Sequence, residues 1–327
     1  MTAPRLPEQY RLRAPVMLAA ALVLLLCGCR AQETPLSRVE AAARSNPNSP
    51  AAFIELGNAY AGASRYNDAF VAHSAAIRLD PHSFDAACAL TTDLLNLGSP
   101  RDAILWARRA ISLRPKSLRA HELAGQCLLA AETPDAAIEE LRKAVAIDPS
   151  SFIARLNLTS AYAMKGDIRA ALSQSQEVLR LRPKDVTAHF AAADIQERAG
   201  NLAAAEAEFA RAVGLDPNSA DSKLRLAMVL IREHKDFPSA RSLAQQADRI
   251  DPGDGTPAAL AAWALYLNGD RLDGTVELQS AAMAHPYTAF VWLRLADAFR
   301  GIGQDKRAQQ ALQRASVLSP RAEIAQR

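Results

Sequence analysis

Chemistry-bearing residues are sparse and dispersed in this 327-residue sequence. Its six histidines are His73, His82, His121, His189, His234 and His285. They form no H-E-x-x-H pair, and "HELAG" at His121 lacks the second histidine. A zinc site needs ligands clustered at defined spacing, so no metal is expected. There is no Gly-rich phosphate loop and no G-x-S-x-G, which removes common signatures of nucleotide binding and serine-based acyl transfer. The acidic residues are scattered as solvated charge. Without a convergent set of nucleophile, base and charge stabiliser, the expectation is no enzyme, no cofactor and no small-molecule substrate.

Long apolar runs and charge imbalance are missing too. Val16 to Leu26 is an unbroken apolar run of 11 residues, short of the ~20 that a spanning helix needs. With residues 1–28 set aside, 35 basic and 34 acidic side chains remain, which is no electrostatic footprint for nucleic acid. Cysteine is rare, at four residues. Cys88 and Cys127 lie about one repeat apart, so a disulfide is open in an oxidising compartment. Buried thiols packing as small hydrophobes are the expected state.

The N-terminus combines basic Arg5, Arg11 and Arg13 with that 11-residue run and then Leu26-Cys27-Gly28-Cys29. A short apolar core behind a basic lead-in reads as an export signal. The last four residues resemble the lipobox of bacterial lipoproteins. The resemblance implies cleavage before Cys29, lipidation of the Cys29 thiol, and loss of Cys27 with the signal. Arg30 follows where an aspartate would favour inner-membrane retention, so an outer-membrane lipoprotein facing the periplasm is implied.

What the sequence does contain is a period. After Pro47, prolines stand at 81, 115, 149, 183, 217, 252, 286 and 320, in steps of 34 with a single step of 35. Counting each unit from three residues after the preceding proline, small residues recur at the eighth, twentieth and twenty-seventh positions. Gly57, Ala69 and Ala76 show this in the first unit, Gly125, Ala137 and Ala144 in the third. Small residues let paired helices approach, and proline stops the second helix of each pair. Ser49, Ser83, Ser117, Ser151, Asp185, Ser219, Asp254 and Thr288 stand where a cap opens the next unit. His121 and His189 fall on a packing position, the fourth of their units. The sixth unit carries an extra residue within Arg232 to Ala240, predicting a wider turn. The seventh has Gly274 in place of alanine, predicting a weak joint.

This pattern resembles the tetratricopeptide repeat. The eighth unit shows Trp292, Leu295, Ala296, Phe299, Gly303, Ala308, Leu312, Ala315 and Pro320; the first shows Phe53, Leu56, Gly57, Tyr60, Ala69, Ala76 and Pro81. The resemblance implies an all-α, right-handed superhelical solenoid in one elongated domain. The expected layout is a signal peptide at 1–28, a lipidated tether at 29–35 and a half repeat at 36–49. Eight units follow at 50–83, 84–117, 118–151, 152–185, 186–219, 220–254, 255–288 and 289–322, with a tail at 323–327.

In this family the first helix of each unit lines a concave groove. Carried onto this sequence, the groove takes Asn58, Thr92, Arg119, Glu122, Gln126, Asn157 and Ser160 in a mildly polar near half. Its far half takes Phe190, Asp194, Arg225, Met228, Trp263, Tyr266, Phe290, Arg294 and Asp297. Aromatics and arginine dominate binding hot spots, so the far half is the expected docking surface. Trp263 and Tyr266, at i and i+3, share a helix face and serve as its anchor, with packing against neighbouring repeats as the competing role. Glu122, Gln126, Thr187 and Ala191 depart from the set that holds a terminal carboxylate in some family members, so chaperone-tail binding is not expected. The implied function is a membrane-anchored scaffold docking a peptide or protein partner in the cell envelope. Two narrower readings are a pilotin-like assembly factor for a type IV pilus or secretion system, and an adaptor for exopolysaccharide or cell-wall machinery.

Overall fold

A computed structural model describes residues 34–319. The signal segment, Cys29, most of the tether and the 323–327 tail lie outside the described residues. Among the described residues the chain is helical throughout, with no strand. The helices are α1 (Pro35–Ser45), α2 (Pro50–Gly62), α3 (Tyr66–Leu79), α4 (Phe84–Asn96), α5 (Pro100–Leu113), α6 (Leu118–Ala130), α7 (Pro134–Ile147), α8 (Phe152–Lys165), α9 (Ile168–Leu181), α10 (Val186–Arg198), α11 (Leu202–Leu215), α12 (Ala220–Arg232), α13 (Phe237–Ile250), α14 (Thr256–Leu267), α15 (Arg271–Ala284), α16 (Ala289–Gly301) and α17 (Asp305–Leu318). None is long and apolar enough to cross a membrane. Where the sequence reading had one array, packing separates two compact units, 1–114 and 115–327.

Local chemistry explains where the helices start. Ser49, Ser83, Ser117, Ser151, Asp185 and Ser219 each accept a backbone N–H from the first turn of α2, α4, α6, α8, α10 and α12. Each such cap is worth about 1 kcal/mol. The last two candidates do otherwise. Asp254 accepts from the Thr256 N–H in a turn ahead of α14. Thr288 donates its hydroxyl to the Asp254 carbonyl at 2.5 Å, tying the two ends of the seventh repeat together.

The small residues do what their spacing predicts. Ala69, Ala76, Ala103, Ala110, Ala137, Ala144, Ala171, Ala205, Ala212, Ala240 and Ala247 have no exposed surface. Larger side chains there would overpack the helix contacts. Within each compact unit successive helices pack on one another, and first helices of neighbouring pairs also touch: α2 with α4, α6 with α8, α8 with α10, α12 with α14 and α14 with α16. Among the described residues no second helix packs comparably on the second helix of the next pair. This asymmetry places the first helices on the inner face of each unit.

A second fastener emerges from the fourth position of four of the pairs. His121 Nε2, Arg155 Nε, His189 Nε2 and Trp292 Nε1 bond the carbonyls of Pro115, Pro149, Pro183 and Pro286 at 2.8–3.0 Å. The other ring nitrogens of His121 and His189 reach Glu140 and Glu208 at 2.6 Å. Both histidines are therefore clips between the paired helices and the loop before them. In the first unit His73 and Asp93, both fully buried, pair at 2.6 Å.

The extra residue of the sixth repeat sits in a turn where His234 and Asp236 take positive φ, 54° and 35°, and Asp236 caps α13 through the Ser239 N–H. At the predicted weak joint, Gly274 instead marks a close approach. A Cβ there would lie 2.7 Å from the backbone nitrogen of Tyr266, so only glycine lets α15 pack this tightly on α14.

Candidate functional site

Asn58 and Thr92 are exposed on α2 and α4 in the first unit. The other groove candidates of the described residues sit on the first helices α6, α8, α10, α12, α14 and α16 of the second unit. Arg119 is exposed on α6, while Gln126 is half-buried. Glu122 is half-buried and accepts the Ser151 hydroxyl at 2.5 Å. Asn157 on α8 is half-buried, and its Nδ2 finds no acceptor within the fold.

The far half is more occupied than its sequence suggested. Tyr266 is 7% exposed, inside a core with Leu278, Val291, Leu295, Ala298 and Phe299. Its ring stacks on Trp263 at 4.9 Å and 9°. Its hydroxyl fills the space beside Gly301, 1.7 Å from where a Cβ would stand. Tyr266 is thus a packing residue, and its assignment as a groove anchor is corrected. The physical reason is the pair of glycines, Gly274 and Gly301, which open room for a buried phenol between α14, α15 and α16. Trp263 remains half-buried, but both the core around Phe209 and the core around Phe299 pack against it.

Arg294 lies over Trp263 at 5.3 Å and over Phe290 at 5.6 Å, and pairs with Asp297 at 3.3 Å. Phe190 meets buried Phe209 edge-on at 5.4 Å. Met228 packs half-buried against the same core. Asp194 holds Arg225 at 2.5 Å and Arg198 at 2.7 Å. Arg225 Nη2 also lies 2.9 Å from Glu197 Oε2, near enough for charge attraction but misaligned for a hydrogen bond. Glu197 then reaches Arg232 at 2.5 Å. This chain of alternating charge staples α10 to α12. Its arginines already hold internal carboxylates, so they are positioned side chains and not loose hot spots.

Open space on the inner face lies elsewhere, between α8 and α10. A hollow of about 270 Å³ is lined by Thr159, Ser160, Ala163, Met164, Ala191, Asp194, Ile195 and Arg198. Ala163 and Ala191 line it with small side chains, where larger ones would fill the space. The floor is buried Thr159 and Ile195; the rim carries Met164, 47% exposed, with Ser160, Asp194 and Arg198. Of the sequence candidates Ser160 and Asp194 line it. Met164 and the alanine pair were overlooked. Their signal was small residues at groove-facing positions of consecutive first helices, beside an exposed methionine.

Titration supports a structural role for the polar clips. Glu140 loses solvent by burial, which alone would raise its carboxyl pKa. Hydrogen bonds from Lys143 and His121 outweigh this and hold it below the usual glutamate value. Burial pushes the Cys127 thiol up to about 12, leaving it protonated and inert, and Cys88 is likewise fully buried. No group of three or more potential metal ligands occurs among the described residues.

Paired helices of this form, stacked first helix on first helix, find their match in known proteins. The tetratricopeptide-repeat family profile covers residues 88–152 and 157–220. The repeats within those residues are tetratricopeptide repeats. Solved structures of similar fold include the APC/C hetero-tetramer Cut9–Hcn1, at 16% identity and TM-score 0.59, over 87% of this chain and 56% of that one. This chain therefore spans little more than half the length of that relative. Pseudomonas aeruginosa pilF matches at 19% identity and TM-score 0.57, over 67% of this chain and 97% of its own. A tetratricopeptide repeat protein from Parabacteroides merdae matches at 14% and 0.58, over 81% and 98%. At these identities the likeness is one of fold. No curated protein matches the chain. Tetratricopeptide repeats serve generally as non-enzymatic scaffolds that bind protein or peptide partners, and their fold alone does not choose the partner.

Proposed function

We propose that this chain is a membrane-anchored scaffold of the cell envelope. Its second unit docks a protein segment along the inner face, seated at the α8–α10 hollow. The observation that carries the docking site is the hollow itself: an alanine-bounded space with an exposed methionine and a charged rim, on the face where first helices meet. A space of about 270 Å³ suits one or two side chains of an extended segment, with Asp194 and Arg198 offering partners to its backbone or polar groups. The anchor is a lipid on Cys29, with the array on the periplasmic side of the outer membrane. The lipobox-like Leu26-Cys27-Gly28-Cys29 supports that reading.

The docking test is in-cell photocrosslinking from Met164, with Ser173 on the exposed face of α9 as control. A single envelope protein captured from Met164 and not from Ser173 is expected. Equal products from both positions, or none, would overturn the site. The anchor has a separate test: Cys29→Ala should abolish acyl labelling, and persistent labelling would refute it. The shared architecture with pilF is compatible with a pilus or secretion partner. Loss of secretin multimers on deletion would assign that pathway, whereas intact multimers with altered matrix would assign polysaccharide machinery.

A further inference from the structure

The second helices of the first unit carry a surface that docking on the inner face leaves unused. On α3 the outward residues are Asn67, Val71, Ser74, Ala75 and Arg78. On α5 they are Arg101, Leu105, Arg108, Arg109 and Ser112. Val71 is 64% exposed and Leu105 62%, and they occupy equivalent positions of neighbouring repeats. Leu105 and Trp106 open, with Ile77, Pro81 and Arg109, onto an apolar trough of about 440 Å³. Arg109 is fixed at its edge by a 3.0 Å hydrogen bond to the Pro81 carbonyl. Those ten positions hold four arginines, and one exposed acid, Asp102, stands beside them on α5. The nearest acids are Asp68, paired with Arg65, and Asp102 in the first turn of α5.

The corresponding positions elsewhere differ. On α7 they read Asp135, Glu139, Arg142, Lys143 and Ala146, of mixed sign and without a large apolar residue. On α15 they read Leu272, Val276, Gln279, Ser280 and Met283, apolar and uncharged. Exposed aliphatics, a tryptophan and arginines together are what a helix lying in a bilayer interface presents. A face of net positive charge is complementary to anionic headgroups.

We propose that the outer face of α3 and α5 lies on an anionic membrane surface, with Leu105 and Trp106 entering the headgroup boundary and Arg78, Arg101, Arg108 and Arg109 meeting the lipid charges. The reach of the chain favours a bilayer as occupant, and this step rests on the proposed lipid at Cys29. Four residues, 30–33, separate Cys29 from Thr34, where α1 is capped. The stretch from Cys29 to Thr34 extends ~17 Å at most. A weak interfacial contact becomes effective when a tether holds it that close to its target.

The experiment uses the full chain purified from membranes and reconstituted into vesicles of ~30% phosphatidylglycerol in phosphatidylcholine, an anionic surface. The phosphatidylcholine is brominated, and quenching of tryptophan fluorescence is read for wild type, Trp106→Phe and Leu105→Glu. Quenching is expected in wild type, with most of it lost in Trp106→Phe and in Leu105→Glu. It should also fall in vesicles without phosphatidylglycerol, and at salt near 1 M, where the Debye length is about 3 Å. A circular-dichroism melt matching wild type shows that Leu105→Glu folds. Quenching that is unchanged in Trp106→Phe, or absent from wild type that co-floats with the vesicles, would overturn the proposal and leave the face to a protein partner. Failure of the anchor reads differently: Cys29→Ala would then co-float as wild type does, whatever happens at Trp106.

Discussion

Two stretches of the same inner face, α8 with α10 and α14 with α16, solve one packing problem in opposite ways. At α14 and α16 a stacked Trp263–Tyr266 pair fills the gap, under an arginine held by Asp297. At α8 and α10 two alanines leave the gap open, and the helices around it are secured by polar clips such as His121–Glu140 and His189–Glu208. The aromatic-rich stretch is therefore the sealed one, and the alanine-rich stretch has room for a guest. Residue type alone ranked them the other way, because an aromatic at helical spacing serves a core as well as a hot spot.

The largest expected effect tests the sealed stretch. Tyr266→Ala should destabilise the protein by about 3 kcal/mol or more, as loss of a buried aromatic does, measured by denaturant unfolding. A loss under ~1 kcal/mol would mean that the phenol is peripheral. Next, Gly274→Ala should cost about 1–3 kcal/mol, because its Cβ collides with Tyr266 backbone that cannot yield cheaply. Array stability is local, so hydrogen exchange should rise in α14–α16 and stay unchanged in α8–α10 for both variants.

The open stretch should respond in the reverse sense. Ala191→Leu, directed into the hollow, should change unfolding free energy by less than ~1 kcal/mol while abolishing the Met164-specific crosslink. A stability loss as large as that of Tyr266→Ala would show that the hollow is closed in solution. A smaller effect concerns acid. Because hydrogen bonds hold the Glu140 carboxyl below its ordinary value of 4.5, its ionised clip contributes fully above that pH and is lost as pH falls through the lowered folded-state value. Wild type should therefore exceed Glu140→Gln in stability at neutral pH, and the difference should shrink as pH falls below 4.5 and vanish below the lowered folded-state value. Exchange in α6 and α7 should rise with it, while α14–α16 stay protected. Last, Cys127 should resist alkylation in the folded protein and react only on unfolding, since burial keeps it a thiol.

Repeat length, helix pairing and most caps were legible because each rests on local rules: proline stops a helix, serine or aspartate opens one, and small residues mark helix contacts. Thr288 escaped them because its hydroxyl is placed to donate to the Asp254 carbonyl, 34 residues away, and accepts no N–H of the helix it precedes. Gly274 looked like a weakness because sequence shows a missing side chain, not the neighbouring backbone that occupies its place. The groove list was partly legible, in that its members do lie on first helices, yet burial of Tyr266 and exposure of Met164 were not. Both depend on what the next repeat offers across the gap.

The sequence by itself determined a helical-pair repeat, its period, its caps and the scarcity of catalytic chemistry, since periodicity and backbone restriction act over a few residues. Only the tertiary structure decided which inner-face positions are filled and which are open. Side chains from different repeats share that space, and the volume left there is the difference between what one helix projects and what its neighbour has already taken.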